Sequence, residues 1–147
     1  MLTILMIAVV VAGAALSVQP LINARMAAAA GHPIFGAMIS VMVSTLTLAL
    51  AALLLRLPLP SVRALAELPP WTWLGGVIGA TVVLSALMVA PRVGVATAMA
   101  LFIAGQLAAA LAMDHFGLLG LDPRPLGPMR VLGAACLLAG VLLIRRF

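Results

Sequence analysis

Chemistry in this chain depends on a few amide side chains, because 66% of the residues are hydrophobic and only 7% are charged. Gln19 and Asn23 are four residues apart, so they share one helical face beside Pro20. Gln106 lies thirteen residues into a later apolar run. Polar groups deep in a membrane usually face a bundle interior or a watery cavity. The three amides are predicted to bind a substrate, with interhelical hydrogen bonding as the alternative role.

An acidic residue and a histidine are adjacent near the end of the run that contains Gln106. Asp114 and His115 could handle protons, since histidine changes charge near neutral pH. The alternative, that both are hydrated anchors at the level of the lipid headgroups, is favoured. No acidic residue lies within the core of an apolar run, so a proton and a cation would have no buried carboxylate to compete for.

The sequence offers no residues for several other kinds of chemistry. Cys136 is the single cysteine and lies in an apolar run, which excludes an intrachain disulfide and metal-ligand spacing. No HExxH motif, phosphate-binding loop or Ser/His/Asp arrangement is present. We predict no enzyme, no cofactor and no metal site. The net charge of +5 is spread along the chain without a basic face, so nucleic acid is not an expected partner.

Five apolar runs must position these side chains. A soluble domain is about half apolar and about a quarter charged, so this composition requires membrane lipid as the solvent. A spanning helix needs about 20 mainly apolar residues. The whole chain, 1–147, is predicted to be one all-α integral membrane domain. The predicted spans cover residues 2–29, 33–55, 71–90, 93–113 and 129–144.

Proline and glycine mark the boundaries of these runs. The first helix is expected to continue past Pro20 with a kink, since proline is tolerated in membrane helices. Residues 61–68 are predicted to form a short interfacial turn or helix. Pro91 to Gly94 is predicted to be a turn, and 117–128 the longest loop. Cleavage of a signal peptide is not expected, because the first basic residue is as late as Arg25.

Two tryptophans and three glycines begin the third predicted span. Trp71 and Trp73 occupy the position of an interfacial aromatic belt. Gly75, Gly76 and Gly79 follow, and small residues allow helices to approach closely or leave room for a substrate path. These five residues are predicted to line a cavity or gate.

A second pair of glycines lies in the fifth predicted span. Gly133 and Gly140 are seven residues apart and so fall on nearly the same helical face. We predict that they form a seam for self-association. Packing against another helix of the same chain is an equal alternative.

Eight arginines and no lysine supply all the permanent positive charge, and their positions bear on how the chain inserts. With five spans, the loops that share the N-terminal side of the membrane carry Arg56, Arg63, Arg124 and Arg130. The opposite side carries Arg25, Arg92, Arg145 and Arg146. Arginine asymmetry normally sets orientation, and here it is four against four. The balance predicts weak or dual orientation, with a single topology fixed by a partner or by individual arginines as the alternative.

Several short motifs, in this order and spacing, resemble the YdcZ family of small inner-membrane proteins in the drug/metabolite transporter superfamily. They are Gln19-Pro20-Leu21-Ile22-Asn23, Trp71-Thr72-Trp73-Leu74-Gly75-Gly76, Gly105-Gln106-Leu107, Asp114-His115-Phe116-Gly117, Pro125-Leu126 and Arg130-Val131-Leu132-Gly133. The resemblance implies a bacterial inner-membrane exporter whose five helices form a half-transporter bundle. Four-span exporters of the superfamily use a carboxylate in the first span. This chain has none there, so their proton-antiport mechanism is not carried over.

The leading functional hypothesis is a secondary transporter or exporter of a small organic or amphipathic solute. The expected partners are membrane lipid, the small-molecule substrate and a second copy of the chain. Two oppositely inserted copies would reproduce the inverted-repeat architecture of many secondary transporters. The alternative is a non-transporting scaffold or an accessory subunit of a larger complex.

Overall fold

The computed structural model describes residues 2–120 and 122–146. The predicted domain, 1–147, also contains Met1, Leu121 and Phe147, which lie outside the described residues. The helices are α1 (Leu2–Ala29), α2 (Pro33–Leu54), α3 (Val62–Ala66), α4 (Leu74–Val93), α5 (Val95–Phe116) and α6 (Pro128–Arg146), with short 3₁₀ helices at Pro70–Trp73 and Leu118–Gly120. No β-strand occurs in the described residues. Five of the helices are long and apolar enough to cross a membrane, which confirms the all-α, five-span prediction.

The helices fall into two compact units, Met1–Pro91 and Arg92–Phe147. In the first unit, α1 and α2 pack as a hairpin around a turn at Gly31, whose φ of 80° favours glycine. His32 caps α2, because its Nδ1 accepts a hydrogen bond from the Ile34 N–H at 3.2 Å. Pro33 occupies the first turn of α2, where a missing N–H costs nothing.

Small residues form the contact between the two helices of this hairpin. Ala27 of α1 and Gly36 and Ala37 of α2 are all buried. The C-terminal half of α4 joins this contact, because Leu87 is buried in one cluster with Ala27 and Ala37. The first unit therefore packs tightly near the 30–32 turn, whereas residues 41–51 of α2 are exposed.

Proline breaks neither α1 nor α4. Helix α1 runs through Pro20, as predicted, and α4 runs through Pro91 to Val93. The chain turns at Gly94, whose φ is 87°, so the predicted turn at Pro91 begins later than expected. The physical reason is that proline is tolerated in the last turn of a membrane helix, whereas the φ of 87° and ψ of 150° at Gly94 are accessible essentially only to glycine.

In the second unit, α5 and α6 contact each other. Helix α5 ends at Gly117, whose left-handed conformation directs its N–H to the Met113 carbonyl oxygen. The Leu118–Gly120 helix then contacts α5, and residues 122–127 form the rest of the connection to α6. This connection agrees with the loop predicted for 117–128.

Candidate functional site

The polar face of α1 lies within the helix hairpin of the first unit. Pro20, Asn23 and Ala27 are buried and follow a spacing of three and four residues, so they form one helical face. Gln19 lies beside this face and is half-buried. Because Pro20 has no N–H, the Leu16 carbonyl loses its usual helical donor one turn earlier on the same face. The face thus combines an amide with a hydrogen-bond acceptor inside an otherwise apolar span.

Asn23 is the most deeply buried polar residue of the described chain, with 3% of its surface exposed. No hydrogen bond joins its side chain to another described residue. Every side-chain nitrogen or oxygen that is fully enclosed among the described residues has a hydrogen-bond partner. Because the Asn23 amide has no such partner, it is not fully enclosed and retains slight exposure. A buried amide that retains access and lacks a partner can bind a polar group of a ligand.

Gln106 lies in the second unit, on α5, and its surroundings differ from those of Asn23. Its side chain is exposed on the single chain, as is the neighbouring Gly105. An exposed amide in the middle of a spanning helix is unfavourable in lipid, because its donors and acceptors lose the water that would pair with them. Gln106 therefore needs a polar neighbour that the described residues of the second unit do not supply.

Several hydroxyl groups in the spans bond to their own helices. Ser44, Thr45 and Thr47 donate to main-chain oxygens four residues earlier, at distances from 2.8 to 3.0 Å. Thr81 does the same to Val77 at 2.8 Å. These hydroxyls bond locally and are poor candidates for substrate binding.

The tryptophans and glycines of the predicted gate lie on open surfaces. Trp71 and Trp73 are 56% and 60% exposed within the Pro70–Trp73 helix. A β-carbon placed at Gly75, Gly76 or Gly79 would meet no described atom within 4 Å. Open space therefore lies beside these glycines, and their role as a gate stays a prediction.

An apolar groove between α2 and α4 was not foreseen from the sequence. Its volume is about 850 Å³. Its lining residues are Ile34, Phe35, Ala37, Met38, Ile39, Val41, Met42, Val77, Ala80, Thr81 and Leu84. The only hydroxyl in this lining, that of Thr81, already donates to Val77, so the groove offers no free polar group. It can accommodate the apolar part of a solute or a lipid chain, and no sequence motif marks it because lipid-facing residues are equally apolar.

The end of α5 bonds to the chain that returns toward α6. The main-chain N–H of Arg124 donates to the Asp114 carbonyl oxygen at 2.7 Å, and the Leu126 N–H donates to the His115 Nδ1 at 3.2 Å. The Asp114 carboxylate also forms an ion pair with Arg130 at 3.4 Å. We call these five residues the α5–α6 latch. The sequence predicted Asp114 and His115 at the level of the lipid headgroups but did not reveal their partners, which lie 10 to 16 residues later.

The predicted self-association seam on α6 is open. A β-carbon at Gly133 or Gly140 would meet nothing within 4 Å among the described residues. Cys136 lies three residues after Gly133 and four before Gly140, so it shares their face, and its side chain is exposed. The seam therefore has a single thiol close to the middle of the helix.

A sequence model of the family described as "Putative inner membrane exporter, YdcZ" matches residues 4–143. The chain belongs to the YdcZ family. No curated protein and no solved structure matches it. Family membership confirms the resemblance carried by the motifs and agrees with a multi-pass location in the inner membrane.

The description of the family as an exporter implies a transporter. For a YdcZ protein, the residues of interest are therefore those that could bind a solute inside the membrane. Among the amides predicted from the sequence, Gln19 and Asn23 come together on α1, while Gln106 stands on α5 in the other unit. The structure thus provides one candidate polar face in each unit.

Proposed function

We propose that this YdcZ protein exports a small organic or amphipathic solute across the inner membrane and that the working unit is a homodimer. The observation that carries the proposal is the buried, accessible and unpaired amide of Asn23 in a span. Gln19 and Asn23 would bind the polar part of the solute, and Gln106 would provide a further amide. The α2–α4 groove would accept the apolar part, since its lining has no charge.

The lipid-exposed amide of Gln106 supports the need for a second copy. Burying this amide against a partner would remove the cost of leaving it in lipid. The open seam at Gly133 and Gly140 allows α6 to approach another helix closely. Together these features favour a dimer in which α5 and α6 of the second unit contribute contacts.

The balance of four arginines on each side of the membrane supports an antiparallel dimer. If neither orientation is preferred, both would be present in one membrane. Two opposed copies would then form an inverted pair with a site near the midplane, as in many secondary transporters.

Cross-linking tests the dimer and its orientation. Oxidation should join two Cys136 thiols, because Cys136 lies next to Leu137, the central residue of the 19-residue α6. In a Cys136→Ala background, Met129→Cys and Ile144→Cys lie at opposite ends of α6, and both positions are exposed. An antiparallel dimer should cross-link Met129→Cys to Ile144→Cys, whereas a parallel dimer should cross-link each variant to itself. Absence of every product would contradict the α6 seam.

Transport in proteoliposomes tests the function. The purified protein is reconstituted and offered a panel of metabolites and amphipathic drugs, with Gln106→Leu as the comparison variant. Accumulation of a panel member by wild-type protein, reduced in the variant, is expected. Unchanged transport in Gln106→Leu would remove Gln106 from the site. No transport of any panel member would instead favour a scaffold or accessory subunit.

A further inference from the structure

The two histidines of the chain use the same ring nitrogen in different ways. His32 Nδ1 accepts a hydrogen bond from Ile34, two residues later, and so caps the start of α2. His115 Nδ1 accepts one from Leu126, eleven residues later, and so holds a returning loop against the end of α5. Only the bond of His115 joins separate segments of the chain.

A histidine nitrogen that accepts a hydrogen bond carries no proton. Acceptance at Nδ1 therefore places the proton of the neutral His115 ring on Nε2. When the ring gains a second proton, Nδ1 becomes a donor that faces the N–H of Leu126. Two N–H groups then face each other, so the hydrogen bond is lost and the loop is released at Leu126.

The charged groups around His115 determine what remains when this bond is lost. On α5, Asp114 precedes it, and from α6 Arg130 pairs with the Asp114 carboxylate at 3.4 Å. Asp122 and Arg124 lie in the loop, and both are exposed. Because Asp114 is already paired with Arg130, it is not free to hold the protonated ring in place of Leu126. The Arg124 bond to the Asp114 carbonyl oxygen involves main-chain atoms only and does not depend on protonation.

We propose that the α5–α6 latch is a proton-sensitive switch, in which protonation of His115 frees residues 125–127 from the end of α5 while the Arg124 main-chain bond and the Asp114–Arg130 ion pair keep the rest of the connection and α6 in place. This is a regulatory role and needs no proton transfer to a solute. It is also independent of the proposed substrate site.

A spin label on the loop tests the switch without any measurement of transport. In a Cys136→Ala background, Pro125→Cys carries the label, since Pro125 adjoins Leu126, is exposed and donates no main-chain hydrogen bond. The protein is placed in lipid nanodiscs and its spectrum is recorded between about pH 8 and about pH 5, the range over which histidine changes charge. Loss of one hydrogen bond should raise the ratio of mobile to immobile label about fivefold at the acidic end.

Matched variants identify the residue responsible. His115→Asn keeps an acceptor oxygen at the position of Nδ1 but cannot titrate, so its loop should stay immobile throughout. His115→Phe has no acceptor and should be mobile throughout. His32→Asn, which keeps the cap of α2, should respond to pH as the wild-type protein does. A label at Leu59→Cys, in the exposed loop after α2, should not respond.

Two results would overturn the proposal. One is a wild-type loop whose mobility is the same at both ends of the pH range. The other is a full response that persists in His115→Asn. Neither result depends on whether the protein transports a solute, so failure of the switch and failure of the proposed export are distinguishable.

Discussion

Gly36 of α2 faces Ala27 of α1 so closely that a β-carbon on Gly36 would lie 2.6 Å from the Ala27 Cβ. The Ala27 Cα and main-chain nitrogen would each be 2.7 Å away, so no side-chain movement could make room. This contact fixes how the α1–α2 hairpin closes. The hairpin in turn buries Asn23, which lies four residues before Ala27.

Gly36→Ala is expected to destabilise the hairpin by about 1–3 kcal/mol, because overpacking forces the two backbones apart. Gly13→Ala is the matched control, since a β-carbon at Gly13 of α1 would meet nothing within 4 Å among the described residues. The control should be neutral or stabilising by up to about 1 kcal/mol, because alanine favours helix. Thermal unfolding of both variants in the same detergent measures the difference. Equal stabilities would mean that α1 and α2 do not pack as described.

Asn23→Leu is expected to reduce transport about 5- to 150-fold if the amide binds the solute, since one lost hydrogen bond to a buried group costs about 1–3 kcal/mol. Ser44→Ala is the control, because the Ser44 hydroxyl bonds only to the Ser40 carbonyl oxygen of its own helix. Initial rates in proteoliposomes, together with the melting temperature of each variant, separate binding from folding. A stable Asn23→Leu protein with the wild-type rate would exclude Asn23 from the site.

Removal of two arginines from one side of the membrane is expected to shift the orientation of insertion, and the direction depends on which side loses them. Without Arg145 and Arg146, four arginines face two, and the C-terminus should move to the periplasmic side. Without Arg56 and Arg63 the imbalance is reversed, and the C-terminus should become cytoplasmic. Reporters of opposite compartments, fused to the C-terminus, measure the two populations. A wild-type signal from one side alone, unchanged in both double variants, would refute dual orientation.

Trp71 and Trp73 are expected to lie at the level of the lipid headgroups, where the indole ring has both polar and apolar contacts. They are the only tryptophans and the chain has no tyrosine, so intrinsic fluorescence reports on them alone. Lipids that carry a quencher near the headgroup should quench the emission more than lipids quenched deep in the acyl chain. Strong quenching by aqueous acrylamide with little quenching by either lipid would indicate a watery cavity instead.

Much of this fold follows from the order of residues. Runs of apolar residues, interrupted by Gly31, Pro58, Gly94 and Gly117, determine five spans, because the bilayer sets the length of each helix. The hydroxyls of Ser44 and Thr81 bond within their helices because a main-chain carbonyl lies one turn away in any helix. The exception, the late turn after Pro91, shows that proline in a membrane helix does not by itself define a boundary.

The candidate site was decided by tertiary structure. Asn23 and Gln106 are both amides in apolar spans, yet one is buried and the other exposed. Apolar residues are distributed around all sides of α1 and α5, so their sequences do not reveal which face meets a neighbour. The partners of His115 and Asp114 were equally hidden, since Leu126 and Arg130 approach them only when the loop folds back. In lipid, hydrophobicity determines which residues form a span but not how the helix is rotated about its own axis. The close contact of small residues such as Gly36 and Ala27 decides which polar groups are enclosed.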